Sequence, residues 1–127
     1  MSFYLLDAAA PGLVVGVMII FMMVTIVLEA VTMLIMKYNK AGKVFLDAFI
    51  INLVSMAAGF LLLTGGLGLL NSTDIILNLF IPFLVTVLIE FALLWLLNRR
   101  KPVQKTLLVA VVINIVTYLL LLIFRIF

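Results

Sequence analysis

Polar side chains are so sparse along this chain that they cut it into four long apolar runs. The first extends from about Gly12 to Met36, the second from about Val44 to Leu63, the third from about Ile75 to Leu97 and the fourth from about Thr106 to Phe127. A helix needs about 20 mainly apolar residues to cross about 30 Å of hydrocarbon, and each run meets that length. A closed barrel is the other structure that lipid permits, but its strands alternate polar and apolar residues. Leu107–Ile113 and Leu119–Phe124 do not alternate. The pattern predicts an all-α integral membrane protein with four transmembrane helices.

Polar residues punctuate the runs. Lys37, Lys40 and Lys43 fall in the first connection, and Arg99, Arg100, Lys101 and Lys105 in the third. The middle connection holds Gly65, Gly66 and Asp74 and no basic residue. Lys and Arg collect in short cytoplasmic loops, so both basic connections are expected inside the cell and both termini outside. The same side chains are expected to meet anionic lipid headgroups. Met1 to Ala10 lack the basic start of a secretory signal, and the first run is read as a retained span.

Composition narrows the classes further. Of 127 residues, 69% are hydrophobic and 10% charged, far from the balance of a soluble domain. The runs leave no room for one, so residues 1–127 are expected to form a single membrane domain. The net charge of +3 is absorbed by the basic connections, and nucleic acid is not expected as a partner. With no Cys and no His, the chain lacks disulfides, thiolate nucleophiles and the commonest metal ligand. No metal, cofactor or catalytic residue is expected.

The scarce polar residues recur. Val24-Thr25-Ile26-Val27-Leu28-Glu29 matches Val85-Thr86-Val87-Leu88-Ile89-Glu90. Likewise Ala48-Phe49-Ile50-Ile51-Asn52-Leu53-Val54-Ser55 matches Ala110-Val111-Val112-Ile113-Asn114-Ile115-Val116-Thr117. The two recurrences differ in spacing by a single residue. Matching polar positions carry weight because such residues are costly in lipid. The chain therefore reads as two similar antiparallel hairpins, about 12–63 and about 75–127, forming a parallel internal repeat with both termini outside.

Spacing sets the depth of these groups. Glu29 lies eight residues before Lys37 and Asn52 nine after Lys43; Glu90 lies nine before Arg99 and Asn114 nine after Lys105. At 1.5 Å per residue all four sit about 12–14 Å from their basic connections. Glu29 should then lie level with Asn52, and Glu90 with Asn114. Thr25 and Thr86 fall on the glutamate faces, and Ser55 and Thr117 on the asparagine faces. Each hairpin is expected to hold its own cluster of Thr, Glu, Asn and Ser or Thr.

A carboxylate in lipid costs several kcal/mol, so it turns inward, finds a partner or water, or takes up a proton. The expected role of these clusters is to join helices in an interaction or scaffold subunit of a membrane complex. The alternative is a small proton- or cation-coupled transporter working as an oligomer through Glu29 and Glu90. Expected partners are the bilayer and either further copies or other membrane subunits; a bacterial-type inner or plasma membrane is the expected location. Enzyme activity is not expected from two carboxyls without His, Cys or a nucleophile arrangement.

Four smaller features complete the reading. Asp47 should pair with Lys43 on the helix surface, one turn away. Tyr38 and Trp95 should sit at the interface. Gly12 and Gly16 form a small-residue pair suited to close helix approach. Pro82 should loosen the third helix, with Asn78 nearby to satisfy freed groups, and Ser72, Thr73 and Asp74 should cap its start.

Overall fold

The computed structural model describes the chain over residues 3–64 and 75–126. It is all-helical there: α1 (Phe3–Ile35), α2 (Ala41–Thr64), α3 (Ile75–Leu97) and α4 (Val103–Ile126). All four are long and apolar enough to span a membrane, over Val15–Ile35, Ala41–Gly59, Phe80–Leu97 and Val103–Ile123. The chain is a multi-pass integral membrane protein.

Helix and apolar run do not coincide at every end. α1 begins at Phe3, before the run that starts at Gly12, and α2 and α4 each begin three residues ahead of theirs. Hydropathy marks what lies in hydrocarbon, whereas backbone hydrogen bonding continues the helix into the headgroup layer. The early starts are fastened there: Val44 N–H donates to the Lys40 carbonyl at 3.0 Å, and Thr106 N–H to that of Pro102 at 3.1 Å.

The helices form a ring. α1 packs against α2 and α4, and α3 packs against the same two, with no diagonal contact among the described residues. Ile26, Ala30 and Met33 of α1 face Val44, Ala48 and Ile51 of α2, Leu94 of α3, and Val109, Ala110 and Ile113 of α4. Three of these are alanines with no exposed surface, which lets the backbones approach closely. The opposite faces carry Val24, Val27, Val31, Leu53, Leu88 and Leu108, all exposed. Lipid tails are as apolar as these side chains, so nothing drives them inward. The interior instead collects polar groups: Thr25, Glu29, Asp47, Asn52, Glu90, Asn98, Thr106 and Asn114 are all buried.

The connections at 36–40 and 98–102 lie together at one end of the ring. Asn39 Nδ2 donates to Asn98 Oδ1 at 2.6 Å, and Lys105 Nζ to the Lys37 carbonyl at 3.2 Å. α1 ends in a Schellman turn: Tyr38 N–H reaches Met33 O and Lys37 N–H reaches Leu34 O, both at 2.9 Å. Lys37 occupies its left-handed position, with φ at 50°.

Three expectations change here. Asp47 is not on the helix surface. Its carboxylate is fully buried, paired with Lys43 and also accepting from Asn98 Nδ2 at 2.9 Å. The second helix is close enough to α3 that its Lys43-side turn is covered. Tyr38 is likewise buried, its hydroxyl 3.0 Å from Thr106 Oγ1 and its ring beneath Lys101, whereas Trp95 stays exposed with Arg99 over its ring. Among the described residues Gly12 and Gly16 have nothing within 4 Å of where a side chain would start, so no close helix approach is seen there. α3 runs through Pro82 without a break, and Thr86 Oγ1 donates to its carbonyl at 2.8 Å. The Asn78 side chain and residues 65–74, with the expected cap at Ser72, Thr73 and Asp74, lie outside the described residues.

Candidate functional site

Glu29 and Glu90 are 1% and 2% exposed, so each carboxyl must find its partners inside the ring. Asn52 Nδ2 donates to Glu29 Oε2 at 2.5 Å, and Asn114 Nδ2 to Glu90 Oε2 at 2.6 Å. Both amides are held by their own helix, donating to the carbonyls of Ala48 at 2.9 Å and Ala110 at 2.8 Å. Each asparagine thus spends both amide hydrogens, one on the backbone four residues back and one on a carboxyl of the neighbouring helix. The fully buried Ala48 and Ala110 leave room for that reach.

The hydroxyls are arranged differently from expectation. Thr117 on α4 donates to Glu29 Oε1 on α1 at 3.1 Å. Ser55 on α2 lines the same cavity as Glu90 on α3, and its hydroxyl donates to the Asn52 carbonyl at 3.3 Å. Glu29 thus takes its amide from one neighbour in the ring and its hydroxyl from the other. The clusters are therefore interleaved. The reason is packing: α1 contacts α4 as well as α2, and α3 contacts α2 as well as α4.

The two threonines ahead of the glutamates diverge. Thr25 Oγ1 lies 3.1 Å from Asn52 Oδ1 and 2.8 Å from the Met22 carbonyl, supporting the amide orientation that presents Nδ2 to Glu29. Thr86 instead turns back on its own helix, donating to the Pro82 carbonyl at 2.8 Å. The Tyr118 ring is set edge-on to Phe83, with centroids 5.1 Å apart and planes at 85°. Tyr118 was not among the residues singled out from the sequence. Its signal was present: it follows Asn114 by one turn and so shares that face. Asn98, which repeats the Glu90 face two turns on, carried a similar signal.

Both carboxyls open onto one cavity of about 400 Å³. Its polar end is made by Glu29, Asn52, Glu90 and Asn114. From there it extends away from the basic connections, between Phe21, Met22, Met56, Tyr118 and Leu121. Among the described side chains no Lys or Arg lines it. Among the described residues the one ion pair, Lys43 with Asp47, lies at the other end of the ring, as do Lys37, Lys40, Arg99, Arg100, Lys101 and Lys105. The buried core formed by Met33, Tyr38, Val44, Leu94 and Val109 stands between the carboxyls and that end.

Among the described residues no group of three or more carboxylates, His or Cys converges as a metal site would require. The arrangement can hold and release protons or a positively charged group beside two preorganised carboxyls. No protein-family model, curated protein or solved structure matches this chain.

Proposed function

We propose that this chain is a membrane carrier of protons or other monovalent cations, with Glu29 and Glu90 as the groups that hold them. One observation carries the reading: two buried carboxyls line one cavity in which, among the described side chains, no cation stands beside them. A pair meant only as a strut is more cheaply built from two amides, because an amide needs no counter-charge. A protein without His, Cys or a nucleophile arrangement is read as a non-enzyme.

In the same reading the chain is two copies of one antiparallel hairpin, related by a twofold axis along the membrane normal. The matched bonds of Asn52 to Glu29 and Asn114 to Glu90 support it. Parallel repeats of this kind place carrier sites near the bilayer midplane, at the repeat interface. Basic connections inside and termini outside follow from the side on which Lys and Arg gather. Both carboxyls come from one chain, so the reading needs no second copy to complete the site.

The test is flux in vesicles. Purified protein is reconstituted, a potassium diffusion potential drives protons inward, and an internal dye reads pH. Wild type should carry protons or exchange them for sodium; Glu29→Gln with Glu90→Gln should fold with unchanged helicity and carry none. Vesicles indistinguishable from protein-free ones under both gradients overturn the proposal.

A scaffold subunit of a membrane complex is the second reading. What favours it is the bond of Thr117 to Glu29, which fastens α4 to α1 and would serve rigidity equally well. A stoichiometric membrane partner retained in mild detergent, with assembly surviving the double Gln change, would support it.

A further inference from the structure

Resting on that reading, we infer that the cavity accepts a monovalent organic cation with an apolar body, such as a substituted ammonium, in exchange for a proton from the carboxyl pair. The two ends of the cavity have different chemistry. One presents Glu29 and Glu90; the other is built from Phe21, Met22, Met56, Tyr118 and Leu121. A bare metal ion gains nothing from that second end, since it asks for a shell of oxygens. An anion is repelled by the first. A neutral apolar molecule leaves the carboxyls unused. A cation carrying hydrocarbon satisfies both ends at once.

The apolar wall suits such a ligand in detail. Quaternary ammonium groups are held over aromatic faces, and Tyr118 offers one whose ring is set edge-on to Phe83. Methionine side chains adapt to varied shapes, as promiscuous binding surfaces require. A volume of about 400 Å³ lies within the range of small-molecule sites.

Charge balance supplies the exchange. The carboxyl pair faces Asn52 and Ser55 from α2, Asn114, Thr117 and Tyr118 from α4, and no cation among the described side chains. The nearest charged residues on α2, Lys43 and Asp47, neutralise each other. When the ligand enters, one carboxyl O–H bond breaks, the proton leaves to water, and the carboxylate left behind pairs with the ammonium. No covalent bond to the ligand forms. The amides of Asn52 and Asn114 hold the carboxylates in place throughout.

The experiment is calorimetric titration of the purified protein in neutral detergent with benzyltriethylammonium, in two buffers of different ionisation enthalpy. Binding should release about one proton per cation. Affinity should fall at least about tenfold in Glu29→Gln with Glu90→Gln. Met56→Trp narrows the apolar end without touching a carboxyl; it should weaken the organic cation at unchanged helical circular dichroism, which reports its fold. Binding that survives the double Gln change, or that releases no proton, overturns the inference. Glutamate-dependent flux of protons or sodium with no binding of the organic cation overturns it too, while the carrier reading stands. Absence of both flux and binding removes both.

Discussion

Thr117 on the last helix donates its hydroxyl to Glu29 on the first, at 3.1 Å. The bond closes the ring of helices between its two ends, and Ser55 lines the same cavity as Glu90 in the corresponding position between α2 and α3. Contacts of this kind average about 0.6 kcal/mol in membranes, with 1–2 in favourable settings. Thr117→Val should therefore cost about 0.5–1.5 kcal/mol in reversible unfolding from mixed micelles. Ser55→Ala should cost less, because that hydroxyl donates within its own helix, to the Asn52 carbonyl.

Asn52 is the more demanding position of the two amides. It donates to Glu29 and Ala48 and lies in reach of the Thr25 hydroxyl, so Asn52→Leu strands partners on three sides. The expected loss is about 1–3 kcal/mol. Asn114→Leu leaves Thr86 with Pro82 and should be milder. Equal losses in the same unfolding assay would show that Thr25 contributes nothing.

Lys37 pays for its left-handed backbone, since a side chain there crowds the following carbonyl by about 1–2 kcal/mol. Lys37→Gly should stabilise the protein by up to about 1 kcal/mol, and Lys37→Ala should bring no such gain. The bond from Lys105 goes to the Lys37 carbonyl and survives either change.

Tyr38 makes stability sensitive to alkali. Burial raises its phenol above the ordinary 10.0; the hydrogen bond with Thr106 opposes this, and the nearby Asp47 carboxylate adds to the rise. A folded group that gives up its proton later than the unfolded one contributes fully below pH 10. That contribution is lost as pH climbs through the folded value. Melting temperature should fall above pH 10 more steeply in wild type than in Tyr38→Phe. At neutral pH the same substitution should cost about 1 kcal/mol, for the lost bond to Thr106.

Some of the site was legible in the sequence because helices are regular. Glu29 and Asn52 stand at nearly equal distance from Lys37 and Lys43, and a short connection brings such residues level; the bond between them is present. The same arithmetic placed Glu90 beside Asn114. It could not place Thr117 beside Glu29, because no connection joins α4 to α1. Asp47 misled for a related reason. Its lysine partner one turn away was visible, but Asn98, which covers it, comes from a helix that only packing brings near.

The number of spans, their approximate limits and the gathering of basic residues in two connections are properties of the sequence by itself. Transfer from water to lipid is decided locally, by about 20 residues at a time, and needs no knowledge of neighbours. Which helix faces which, the bond of Thr117 to Glu29 and the cavity onto which both carboxyls open belong to the tertiary structure alone. Inside lipid, apolar side chains are nearly indifferent to where they point. The rotation of each helix is therefore settled by the few polar groups and small alanines that must meet across the ring.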